Sequence, residues 1–215
     1  MPMPIFKILS SAVVILATVT TNAAEQTEAT AIRQLRAIGA DIELDKQGHA
    51  ISLLWLGENH EFSDKQLKLA TTLPHLTELW LEHTTVTDAG LIELKHLKKL
   101  KILGLICEYV PNKPARITDA GLVHLKRLCT LRMLRIEDSD VTDKGLIHLR
   151  GFTKLEDLSL FGSEISDAGL VHLRGLKSLT YLDIAETQWE KTSGAISPKA
   201  ARELRKHLPK CKIDY

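Results

Sequence analysis

One twelve-residue phrase is written four times in this chain. VTDAGLIELKHL starts at Val86, ITDAGLVHLKRL at Ile117, VTDKGLIHLRGF at Val141 and ISDAGLVHLRGL at Ile165, and a weaker copy, FSDKQLKLATTL, starts at Phe62. Their aspartates, Asp64, Asp88, Asp119, Asp143 and Asp167, are spaced by 24, 31, 24 and 24 residues. The step of 31 is one period plus an insertion, and a second step of 31 leads from Ile165 to Ile196. A strict period of this length means that one small supersecondary unit is stacked upon itself, because a single unit cannot bury its own apolar side.

Each copy changes its hydrophobic rhythm halfway along. After the aspartate the apolar residues recur at helical spacing, as in Leu122, Leu125 and Leu128; the next stretch alternates, as in Leu131 to Ile136, and reads as a short strand with one buried face. The Ser or Thr before the aspartate is read as a helix N-cap, and the carboxylate just inside it as a complement to the helix dipole. Gly90, Gly121, Gly145 and Gly169 are poor helix formers, which points to a place where strand-loop and helix backbones come close. Strands pack about 4.8 Å apart and helices about 8–10 Å apart, so the stack must bend, with a parallel sheet inside and helices outside. The expected fold class is α/β, a curved solenoid with its sheet on the concave face.

The pattern L-x-x-L-x-L-x-x-T/S at Leu76 to Thr84, and again at Leu131, Leu155 and Leu179, resembles the leucine-rich repeat. With TDAGL in each copy it is similar to the ribonuclease-inhibitor-like and cysteine-containing branch of that family, in a bacterial exported type. The full helix read in each repeat is part of that likeness. Thr84, Ser139, Ser163 and Thr187 stand where the family carries Asn, with hydroxyls able to satisfy backbone groups of the neighbouring turn, and Glu108 breaks that column.

Four segments follow from this reading. Residues 1–24 carry Lys7, an apolar stretch from Ile8 to Val19 and then small residues, the layout of a cleaved secretory signal that is short for a membrane span. Residues 25–50 form an N-terminal cap, a helix over Thr27 to Ile38 and a hairpin turning at Lys46-Gln47-Gly48. Residues 51–187 hold five to six repeats, and residues 188–215 a C-terminal cap with a helix from Pro198 to about Leu208 and a last strand. The expected location is secreted or periplasmic, in the cell envelope.

The 28 Lys and Arg against 27 Asp and Glu leave no electrostatic case for nucleic acid. Cys107 is placed just past one strand and Cys129 just before the next, too far apart for a disulfide, so Cys107, Cys129 and Cys211 read as buried or half-buried thiols. His124, His148 and His172 share a column on the outer helices, some 10 Å apart, too far for one zinc ion with its ligands at about 2.0–2.1 Å. No metal, cofactor or nucleophile constellation is expected, and no catalytic residue is assigned.

What remains is a surface. By register, the concave side chains are Leu53, Trp55 and Gly57, then Glu78, Trp80 and Glu82, then Ile102, Gly104 and Ile106, with Gly104 leaving a shallow gap. Later copies contribute Met133, Arg135 and Glu137, Asp157, Ser159 and Phe161, and Tyr181, Asp183 and Ala185. Trp55 and Trp80 are expected to touch, unless the N-terminal cap covers Trp55. The ligand-binding set is Trp55, Glu78, Trp80, Glu82, Arg135, Glu137, Asp157, Tyr181 and Asp183, with Tyr109, Lys113, Arg116 and Trp189 on a rim formed by the two insertions. The expected function is non-catalytic recognition of a protein, peptide or glycan. Its rivals are a structural or self-associating envelope protein and, by family analogy, a substrate-recognition subunit of a ubiquitin ligase.

Overall fold

The computed structural model describes residues 23–57, 62–107, 117–185 and 196–215. Eight strands form one sheet in strict chain order: β1 (Asp41–Leu44), β2 (Ala50–Trp55), β3 (Glu78–Thr84), β4 (Ile102–Cys107), β5 (Met133–Glu137), β6 (Asp157–Ser159), β7 (Tyr181–Asp183) and β8 (Lys212–Asp214). The β1–β2 pair is an antiparallel hairpin and every later pair is parallel. Helices alternate with the strands: α1 (Ala23–Ala37), α2 (Asp64–Ala70), α3 (Asp88–Leu91, continued by a 3-10 turn over Ile92–His96), α4 (Asp119–Leu125) and α5 (Pro198–His207). Between β5 and β7 only 3-10 turns remain, Gly145–Leu149 and Gly169–His172. The repeat helices are therefore shorter than the full helix per repeat expected from the sequence. About seven residues with a glycine among them leave room for little more than one turn.

Leucines fill the space between the layers. Leu79, Leu103, Leu134, Leu158 and Leu182 are all fully buried, as are Leu76, Leu100, Leu131 and Leu155. Each contributes about 2–3 kcal/mol by leaving water. At one end α1 and the β1–β2 hairpin precede the parallel strands, and at the other α5 and β8 close the sheet. Gly39, at φ +103°, stops α1 in the left-handed conformation that glycine tolerates, and Glu28 on the buried face of α1 accepts the Ala50 N–H at 3.0 Å.

The repeated phrase proves to be a joint shared between neighbouring repeats. Asp64 accepts the Thr87 N–H at 2.8 Å with one oxygen and the Thr87 hydroxyl at 2.7 Å with the other. Asp88 holds Thr118, Asp119 holds Thr142, Asp143 holds Ser166 and Asp167 holds Ser197 in the same two-bond grip. The glycines make room for it. A Cβ on Gly90, Gly121, Gly145 or Gly169 would stand only 2.1–2.3 Å from Oδ1 of the preceding aspartate. The close approach is thus between a glycine and a carboxylate rather than two backbones, and Asp64, Asp88 and Asp119 grip the next repeat while standing in the first turn of their own helices. The first copy has no aspartate before it. There Gln66 replaces glycine, and its Oε1 accepts both the Ser63 N–H at 3.1 Å and the Ser63 hydroxyl at 2.7 Å.

Of the hydroxyl column, Thr84 donates to the Phe62 carbonyl at 2.7 Å as expected, Ser139 and Ser163 instead bond each other at 2.9 Å, and Thr187 lies outside the described residues. Cys107 is the last residue of β4 rather than beyond it and is buried, Cys211 is buried, Cys129 is exposed, and none of the three is in a disulfide. Cys129 sits on a turn following α4, outside the apolar layer, so it is not the half-buried thiol expected. Among the described residues no helix is long and apolar enough to cross a membrane.

Candidate functional site

The parallel register sets side chains in rows across the concave face. One row runs Ser52, Glu78, Ile102, Met133, Asp157, Tyr181, Lys212; the next runs Leu54, Trp80, Gly104, Arg135, Ser159, Asp183, Asp214. Glu78, Trp80, Glu82, Arg135, Glu137, Asp157, Tyr181 and Asp183 all point where the alternation places them.

Trp55 does not. It pairs in register with Leu81, faces the core and is 2% exposed, with its ring 5.6 Å from that of Phe62. Leu53 is likewise buried, and Ser52, Leu54 and Leu56 take the outward positions. The first step departs from the 24-residue period: Leu53 matches Leu79 across 26 residues, so Ala50-x-x-Leu53-x-Trp55 is the counterpart of Leu76-x-x-Leu79-x-Leu81. A slip of one residue turns every side chain of a strand to the opposite face. The Trp55–Trp80 contact is absent; Trp55 is buried because its strand phase turns it into the core beside Phe62, not because the cap lies over it on the concave face.

Trp80 finds another partner. Its indole lies across Gly104, filling the expected gap, and a Cβ there would meet Cε3 at 2.5 Å. Beyond it the Arg135 guanidinium sits over the ring, 5.7 Å from the centroid. The Trp80 Nε1–H donates to Glu82 at 2.9 Å. Arg135 pairs with Asp157 at 3.3 Å and lies 3.9 Å from Glu137, which accepts the Ser159 hydroxyl at 2.7 Å. Four adjacent strands thus carry one linked strip. Its pairing is incomplete, because Arg135 Nε and Asp157 Oδ1 are buried without partners. Orphaned polar atoms cost stability, and a native protein that retains them invites a functional explanation.

The face is asymmetric. Leu54, Leu56, Trp80, Ile102 and Ile106 make its N-terminal part apolar. Over β3 to β8 the outward positions carry the carboxylates Glu78, Glu82, Glu137, Asp157, Asp183 and Asp214 against Arg135 and Lys212. Burial, and then the charge of Asp183, push the Tyr181 phenol up to about 12. Burial raises the Asp138 carboxyl above its usual value, with help from Glu137 beside it. Tyr109, Lys113, Arg116 and Trp189 lie outside the described residues.

The comparisons agree with this architecture. A sequence profile described as Leucine Rich repeat matches residues 72–95. No curated protein matches the chain in sequence. Among solved structures the chain is similar to internalin C2 of Listeria monocytogenes, with a TM-score of 0.53, 19% identity, and 87% of this chain and 81% of that one covered. A second Listeria monocytogenes internalin gives a TM-score of 0.49 at 20% identity over 68% of this chain and 36% of that one, so the chain spans about a third of its length. Pollen Receptor Kinase 3 gives 0.48 at 14% identity over 86% and 91%. At these identities the likeness is one of fold. Periodic sequence, matching profile and in-order parallel sheet meet in one conclusion: the chain has the leucine-rich-repeat fold.

Proposed function

We propose that this protein is an exported, non-catalytic binding module that holds an extended peptide segment of a partner protein along its concave face. The observation that carries the reading is the strip from Trp80 through Arg135 to Asp157, an aromatic plate and an incompletely paired ion cluster fixed on a rigid sheet. An aromatic face and an immobilised Arg are residue types that dominate binding energy at interfaces. The asymmetry suggests the partner's chemistry, an apolar or aromatic residue over Leu54 and Trp80 followed by Lys or Arg over Asp157, Asp183 and Asp214. The row from Leu54 to Asp214 spans six strand steps, about 29 Å, the length of roughly nine extended residues. Export rests on the charge and apolar pattern of residues 1–24.

Panning the protein against a random displayed peptide library tests the reading. Selected sequences should be enriched in Lys and Arg beside an aromatic or large aliphatic residue, and Trp80→Ala together with Asp157→Asn should abolish the enrichment. Peptides without that bias, or selection that survives both substitutions, refute it.

A further inference from the structure

The hairpin of the N-terminal cap and the link between α2 and β3 bring three ligand-type side chains together. Asp45 opens the β1–β2 turn, His49 closes it, and His75 lies in the link. The imidazoles of His49 and His75 stand with centroids 4.0 Å apart and planes at 32°. Nδ1 of His49 is 3.3 Å from Oδ2 of Asp45. One donor atom from each of the three lies within 4.8 Å of the other two, and all three side chains are half-buried; among the described residues no other such trio of His, Cys, Asp and Glu occurs.

We propose that Asp45, His49 and His75 form a binding site for one zinc-type divalent transition-metal ion, which ties the cap hairpin to the first repeat. The donor set decides the class of ion: two imidazoles and one carboxylate suit zinc, copper or nickel, whereas calcium and magnesium require oxygen shells. Two ligands at about 2.0–2.1 Å in a tetrahedral arrangement stand about 3.3–3.4 Å apart, which is the spacing already held between Asp45 and His49. The carboxylate is preset for this role. Its Oδ1 accepts the N–H groups of Gln47 and His49, each at 2.9 Å, which orients Oδ2 toward the imidazole. Three protein ligands leave a fourth position for water.

The register explains why these two histidines meet while the outer column does not. His49 and His75 stand four residues before Leu53 and Leu79, which pair across β2 and β3. Rows on the strand side repeat every 4.8 Å or so, close enough to share an ion; rows on the helix side repeat about every 10 Å. His124, His148 and His172 occupy the helix side and form no such trio. No motif spacing marks the cluster, since its members belong to a turn and to the next repeat's link.

Titration calorimetry of the untagged, chelator-stripped protein with zinc chloride tests the site. One ion per chain should bind saturably, and a hundredfold excess over the dissociation constant should raise the unfolding temperature by about 5–10 °C. His49→Ala and His75→Ala should each weaken binding at least tenfold, and His172→Ala should leave it unchanged. Cobalt added to the unmutated protein should give the intense visible bands of a tetrahedral centre, a readout that needs no variant to fold. Absence of saturable binding up to millimolar zinc, absence of tetrahedral cobalt bands, or equal affinity in both alanine variants overturns the proposal.

Discussion

The indole of Trp80 rests on the bare α-carbon of Gly104, its register partner on the adjacent strand and one repeat away, so close that no side chain fits between them. This contact aims the ring at Arg135 and converts what would be a loose surface tryptophan into a fixed plate. Gly104→Ala should therefore displace the indole and cost about 1–3 kcal/mol in urea unfolding. Gly151 supplies the control. Nothing lies within 4 Å of a Cβ there, so Gly151→Ala should stay within about 0.5 kcal/mol of the parent protein.

The shared joints make a second prediction. Asp119→Ala removes both acceptors of Thr142 and should cost about 2–4 kcal/mol, because an N–H and a hydroxyl lose their partners together. Gly145→Ala pushes a methyl against the same carboxylate, 2.3 Å from Oδ1, and should cost a similar amount. In the double variant the clash with the carboxylate is gone and only Leu122 Cδ1, at 3.1 Å, still stands close to the new methyl. The combined loss should fall short of the sum by at least about 1 kcal/mol, and strict additivity would mean that glycine and carboxylate do not act as one joint.

Tyr181 gives a pH dependence with a definite sign. Its phenol is raised to about 12 in the folded protein, first by burial and then by Asp183, against about 10 when unfolded. A raised folded value means that the protein holds its proton more tightly than the unfolded chain does. Stability is accordingly full below about pH 10 and declines as pH climbs toward 12. Unfolding midpoints taken across that range should fall in the parent protein and flatten in Tyr181→Phe; an unchanged slope in the variant would assign the effect elsewhere.

Most of the architecture can be read from the amino-acid string because the period is written out four times and strand and helix have different rhythms. The five aspartates, the four glycines and both caps are visible as positions, although the reason they occur together is not: a bond from Asp64 to Thr87 crosses a repeat boundary, and no local rule describes it. Trp55 shows where alternation alone fails. The first repeat carries two extra residues before its strand partner, Ala50 replaces the leading leucine, and Trp55 replaces the third, so the apolar residues Leu53, Leu54, Trp55 and Leu56 form an unbroken run with no intrinsic phase. Only pairing with β3 fixes which of them turn inward. Trp80, Arg135, Asp157 and Asp183 are legible because polar residues alternate with leucines in their strands; the filling of Gly104 by an indole from the adjacent repeat is not, since it depends on the direction of a side chain. The trio of Asp45, His49 and His75 is invisible for the same reason as Trp55, as its members are related through the 26-residue first step rather than the 24-residue period.

The central claim is that the concave strip is where a partner binds, and titration calorimetry with a peptide selected on the parent protein tests it most directly. Trp80→Ala should weaken that peptide by about 10–30-fold, while the substitution of an outer-face residue, Ile147→Ser, leaves its affinity and the unfolding temperature of the protein nearly unchanged. Equal binding to the parent and Trp80→Ala proteins, with the Ile147 variant weakened instead, would place recognition on the helical side and contradict the account.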